Sequence, residues 1–161
     1  MENDEFFMQE AINQARRGLA ENEVPIGAVA VKDGRIVAYG HNRRIQAIDI
    51  TRHAEIDCLG DLSGLIGDDF VLDDIVIYST LEPCAMCAGA IIHYGMKKVV
   101  FGERDILKGA GGSRFDFLQQ AGVEIVSGVA RKECRQILLD YFNLKTGKAT
   151  LTWKDIELPA D

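Results

Sequence analysis

Two short segments constrain this chain more than anything else in it: His53-Ala54-Glu55 and Pro83-Cys84-Ala85-Met86-Cys87. One imidazole and two thiolates are borderline and soft ligands suited to tetrahedral zinc, and they can share an ion only if the fold brings the two segments together. Three protein ligands leave one coordination position for water, which a closed four-ligand structural site lacks. Coordination lowers the pKa of such a water to about 7. Glu55 offers hard oxygen, less suited to this set than sulfur, so it reads as the proton carrier and not as a ligand. A C-x-x-C alone would also serve a redox pair or half of a four-ligand site, but no second C-x-x-C is present. Cys58 and Cys134 stand in apolar or helical surroundings and read as buried thiols.

With 161 residues and 47% hydrophobic content, the chain has the length of a single domain, taken as 1–161, with enough apolar side chains for a core. Eighteen basic against twenty-five acidic side chains leave a formal charge of −7. That balance disfavours an extended phosphate-binding surface, a local patch apart, and makes nucleic acid an unlikely partner. The N-terminal MENDEFFMQE is acidic, without the basic start and apolar core of a secretion signal, and no apolar run approaches the roughly 18 residues of a membrane span. A soluble, cytoplasmic protein is expected. Four cysteines, two of them in one motif, do not make the disulfide framework of a small secreted domain.

Met8, Ile12, Ala15 and Leu19, widened by Phe7 and Ala11, predict an amphipathic helix over Glu5–Leu19. The run IGAVAVKDGRIVAYG reads as a β-hairpin turning at Asp33-Gly34. A helix is predicted over His53–Leu65, a buried strand over Asp73–Tyr78 and a helix over Cys84–Tyr94. Both ligand segments therefore open helices, whose N-terminal partial charge favours thiolates. Lys97–Gly102 and Val123–Ser127 add strands, with a short helix around Phe115–Gln120 between them and a last helix over Arg131–Phe142. This order predicts an α/β fold, a three-layer α/β/α sandwich around a mixed sheet. Gly109, Gly111 and Gly112 lack phosphate-loop spacing and read as a flexible loop near the pocket. His93 reads as a core or interface histidine and His41 as structural.

The H-x-E and P-C-x-x-C pair is a signature of zinc deaminases. At HAE and EPCAMCAGAIIHYG the chain resembles the cytidine and nucleobase deaminase superfamily, from Val24 to about Phe142. That resemblance implies a five-stranded mixed sheet between helices, a zinc cofactor, a homodimer and hydrolytic deamination, with Glu55 protonating a ring nitrogen before ammonia leaves. Two branches compete. TLEPCAMCAGA, VVFGERD and the Lys-Gly-Ala-Gly-Gly-Ser loop are similar to bacterial tRNA adenosine deaminases. GHNRRIQ from Gly40, AIIHYG and Trp153-Lys154-Asp155-Ile156 are similar to fungal-type cytosine deaminases, whose tail closes over a free base.

The tail tips the expectation toward a free-base deaminase of pyrimidine salvage, converting cytosine to uracil. Deamination of the tRNA wobble adenosine is the alternative, and guanine, isocytosine or an aminotriazine a further one. By the cytosine deaminase resemblance, Asn42 bonds the base, while the Ala54 N–H and the Glu82 carbonyl hold its edge. Leu107 stands where that branch places a substrate-wall Phe. Asp155 contacts the amino edge, and Trp153 and Ile156 belong to a substrate-covering tail over 146–161. The acids Asp155, Glu157 and Asp161 weigh against RNA. The non-enzymatic reading, a zinc-stabilised interaction module, is opposed by the intact Glu55.

Overall fold

The computed structural model describes residues 2–66, 72 and 74–146. Trp153, Asp155 and Ile156, and with them all of the expected tail after Thr146, lie outside those residues. Helix α1 (Glu2–Ala20) leads into the hairpin β1 (Gly27–Lys32) and β2 (Arg35–His41). Its turn is Asp33-Gly34, both with positive φ, 49° and 72°, the pairing that a two-residue hairpin matching the strand twist requires. A single turn, α2 (Arg44–Ala47), precedes α3 (Ala54–Ile66), β3 (Ile75–Leu81) and α4 (Ala85–His93). β4 (Lys98–Glu103), α5 (Phe117–Gln120), β5 (Glu124–Ser127) and α6 (Arg131–Thr146) complete the order.

The five strands form one sheet in the order β2-β1-β3-β4-β5. β1 runs antiparallel to β2 and β3, whereas β3, β4 and β5 are parallel. The sheet is thus mixed, with helices on both faces, as the element order predicts. Strand parity sorts the core. Ala28 and Ala30, Ile75 and Ile77, and Val99 and Phe101 face α3, α4 and α5. Val29 and Val31, Tyr78, and Val100 face α1 and α6, where Met8, Ile12 and Cys134 pack. Among the described residues no helix is long and apolar enough to cross a membrane.

Close helix-on-strand contact sets the position of α3. A Cβ at Gly40 on β2 would collide with the backbone nitrogen of Cys58 and the carbonyl oxygen of Ala54. Gly40→Ala must therefore push α3 off the sheet. It is expected to cost about 1–3 kcal/mol of unfolding free energy, as overpacking of a dense core does, read by urea denaturation. An unchanged midpoint would show that α3 has slack at this contact.

Candidate metal centre and active site

α3 and α4 start at the same end of the sheet, and the ligand set lies at their N-termini. His53 immediately precedes α3, and its carbonyl accepts the Asp57 N–H at 2.9 Å. Cys84 is the N-cap of α4 in extended conformation, and Cys87 stands one turn along, on the same helix face. The three residues converge, with their ligating atoms within 4.8 Å of one another. His53 Nδ1 lies 3.5 Å from Cys84 Sγ and 3.6 Å from Cys87 Sγ. A tetrahedral zinc with bonds of about 2.3 Å to sulfur and about 2.05 Å to nitrogen separates those atoms by about 3.6 Å. The donor set therefore fits zinc in both chemistry and spacing.

Electrostatics at the centre favour a cation. The Cys84 thiol is pulled down to about 4, chiefly by the hydrogen bond from the Cys87 thiol and then by His53. The Cys87 thiol is pushed up, because it is the donor in that pair and is buried beside the Glu55 carboxylate. His53 is raised, first by its bond to Cys84. A bound divalent ion replaces these shared protons as the positive charge at the site.

Glu55, in the first turn of α3, is 4% exposed. Ser79 Oγ donates to its Oε1 at 2.9 Å, and its Oε2 lies 3.3 Å from Cys87 Sγ. Burial pushes its carboxyl above the usual range. The sequence reading overlooked Ser79. Its parity with Ile75 and Ile77 puts it on the α3 face of β3, and a polar residue at that register of an apolar strand is the signal that could have found it.

His53, Glu55 and Cys84 open onto a cavity of about 230 Å³. Val24, Ile26, Leu81, Leu107, Leu138 and Phe142 give it apolar walls, and Asn42, Glu82, Asp105 and Lys108 its polar ones. Asn42 and Leu107 thus reach the cavity, while Ala54 is buried at the start of α3, where a first-turn N–H has no intrahelical partner. Asn42 Oδ1 accepts the Arg44 N–H at 2.9 Å, so its amide offers the cavity NH donors. Asp105, Lys108, Leu138 and Phe142 were not anticipated, because two segments remote from the ligand motifs, the loop after β4 and helix α6, deliver them. A larger groove of about 500 Å³ runs along β2. There Arg43 and Arg52 pair with Asp57, and Asp61 accepts the Tyr39 N–H.

Two buried carboxylates brace the walls. Glu23 accepts the N–H groups of Ile45 and Gln46 at 3.0 and 2.7 Å, holding α2. Glu103 receives Arg131 and Arg135 of α6 at 2.9 and 2.5 Å, holding the helix that carries Leu138 and Phe142. Of the remaining histidines, His41 is buried and bonded to Glu21 at 2.8 Å. His93 is exposed on the monomer and not a core residue.

The family model for the cytidine and deoxycytidylate deaminase zinc-binding region matches residues 1–103. A tRNA-specific adenosine deaminase of Bacillus subtilis is 39% identical over 146 residues, covering 88% of this chain and 90% of that protein. One from Haemophilus influenzae is 42% identical over 144 residues, with 86% and 83% covered. A solved structure from studies of A-to-I editing by tRNA:A34 deaminases at the wobble position superposes with a TM-score of 0.76 at 36% identity, covering 83% of this chain and 99% of that one.

These matches overturn the expectation of a free-cytosine deaminase closest to the fungal type, and with it the exclusion of nucleic acid. The error has a physical source. Four tail residues say less about the substrate than the segment that builds the site, and a net charge of −7 does not describe the charge around one pocket. By its zinc ligands, its fold and its relatives, the chain belongs to the zinc-dependent cytidine and deoxycytidylate deaminase superfamily.

Proposed function

We propose that this chain hydrolytically deaminates adenosine in transfer RNA to inosine, at the wobble position. The observation that carries the reading is the 39% and 42% identity to tRNA-specific adenosine deaminases over most of both chains. The cavity suits such a substrate. A base must leave its stack to be deaminated, and an apolar slot with few polar groups receives one flipped planar base. Lys108 at the cavity, with Arg104 and Arg114, gives the loop after β4 three exposed cations. A chain of net negative charge thereby keeps a cationic edge beside its pocket.

In the reaction water adds oxygen to C6 of adenine, the C6–N bond breaks, and ammonia leaves. Zinc, when held by His53 Nδ1 and the thiolates of Cys84 and Cys87, supplies a Lewis acid that makes water nucleophilic near neutral pH. Glu55 takes the first water proton and passes it to N1 as oxygen adds, then takes the remaining proton from the C6 hydroxyl and delivers it to the departing amine, leaving the C6 carbonyl. Ser79 holds Oε1, which assigns proton carriage to Oε2. Asn42 donates to a ring acceptor, and the walls exclude bulk water.

Ammonia and inosine are to be measured with zinc-loaded protein against an anticodon stem-loop, free adenosine, guanine and cytosine. Inosine at one loop adenosine is expected; turnover of a free base alone would sink the proposal. Three phosphate contacts to a single-stranded loop predict a log–log salt slope of about −2, so a fourfold rise in salt should weaken stem-loop binding roughly 15-fold. Salt-independent binding would remove the role of the cationic edge.

A further inference from the structure

We propose that the Glu82 side chain is the positioning residue of the substrate wall, holding the 105–113 loop and with it Asp105, Leu107 and Lys108. The inference rests on the reading of the zinc-side cavity as the active site. It concerns the carboxylate of Glu82, whereas the superfamily resemblance points only to its backbone carbonyl.

Glu82 is 2% exposed. Oε1 accepts the N–H groups of Gly111 at 2.9 Å and Ser113 at 3.0 Å. Oε2 accepts the Asp105 N–H at 3.0 Å and the Ser113 hydroxyl. An ionised carboxylate has about four lone-pair sites, and all are used by donors from the two ends and the middle of one loop.

The neighbouring backbone serves the same loop. Pro83 accepts the Ala110 N–H at 2.8 Å, and Cys84 pairs with Gly109 in a β-bridge. Three consecutive residues thus anchor the substrate wall and supply a metal ligand. Gly109 is explained as well, since a Cβ there would stand 2.6 Å from Glu82 Oε2 and collide with the Asp105 carbonyl. The Gly-Ala-Gly-Gly run, which by sequence reads as a flexible loop, is wrapped around a buried anion.

Glu82→Gln keeps the shape and removes the charge. Whichever way the amide turns, its NH2 faces at least one backbone N–H of the loop. Zinc content should stay at the wild-type level. Amide hydrogen exchange across 105–113 should speed up by about 10- to 100-fold, the scale of one orphaned buried donor, with β1 and α3 unaffected. KM for the stem-loop should rise by a similar factor and kcat change much less, because Glu55 and the ligands are placed by α3, β3 and α4. Ser113→Ala, which deletes the hydroxyl donor but leaves the carboxylate, should move exchange and KM in the same direction by a smaller factor.

Unchanged exchange at 105–113 in both variants, or a kcat loss accompanied by zinc loss with KM unmoved, overturns the inference. The exchange readout needs no substrate. A loosened loop in a protein whose wild type is inactive on RNA would therefore count against the proposed substrate, with the KM comparison then made on the base that is turned over.

Discussion

Glu55→Gln is expected to retain zinc at the wild-type level and to lose about 10²- to 10⁴-fold in kcat, the range that a positioned general acid–base supplies. The variant is close to isosteric, and its carbonyl oxygen can keep the bond that Ser79 Oγ makes to Oε1 at 2.9 Å. The nitrogen at the other position can neither take a proton from water nor return one to the substrate ring. Metal binding should survive, because the ligand triangle of His53, Cys84 and Cys87 closes at 3.5 and 3.6 Å without Glu55. The burial that raises the Glu55 carboxyl above its usual range suits a group that must hold a proton partway through the reaction. Elemental analysis and single-turnover kinetics on one preparation decide the matter. Zinc lost together with activity would make Glu55 a determinant of the metal site, and wild-type kcat would place the proton carrier elsewhere.

What the sequence revealed of this molecule follows from how local each signal is. The Asp33-Gly34 turn encodes its hairpin within two residues, and both its φ values are positive as expected. The ligands were legible because zinc chemistry restricts them to few residue types at fixed spacing. The strand predicted to end at Tyr78 runs on to Leu81, because Ser79 and Thr80 are polar yet buried. Thr80 Oγ1 accepts the Gly27 N–H at 3.2 Å and Ser79 serves Glu55, partners that lie far away in sequence. α2 has only four residues and no apolar period; the distant Glu23 carboxylate holds its N-terminal amides. The same reason hid the pocket walls, since the donors that surround the Glu82 and Glu103 carboxylates come from segments distant in sequence. The substrate was misjudged for a related reason, a global charge sum standing in for a local distribution.

Cys84→Ser should abolish stoichiometric zinc binding and all detectable turnover, and its stability should no longer respond to zinc. Hydroxyl oxygen is a harder and far less acidic donor than the thiolate it replaces, and the substitution falls on the residue that joins the most elements at the site. Cys84 caps α4, pairs with Gly109 of the substrate wall and lies 3.5 Å from His53 at the start of α3. An ion held there ties the start of α3 to the start of α4. At free zinc about 100-fold above Kd, binding to the native state alone adds about 2.7 kcal/mol. For a chain of this length that corresponds to a rise of roughly 5–10 °C in Tm. Wild-type protein should therefore lose that increment on chelation and regain it with zinc, while the variant melts near the chelated wild type under both conditions. If chelated and zinc-loaded wild type melt together although zinc is bound, the ion contributes chemistry without stabilising the fold, and the helix junction must be rigid by packing alone. If the variant still binds one zinc per chain with wild-type affinity, His53 and Cys87 suffice as protein ligands, and the three-ligand centre proposed for catalysis is wrong.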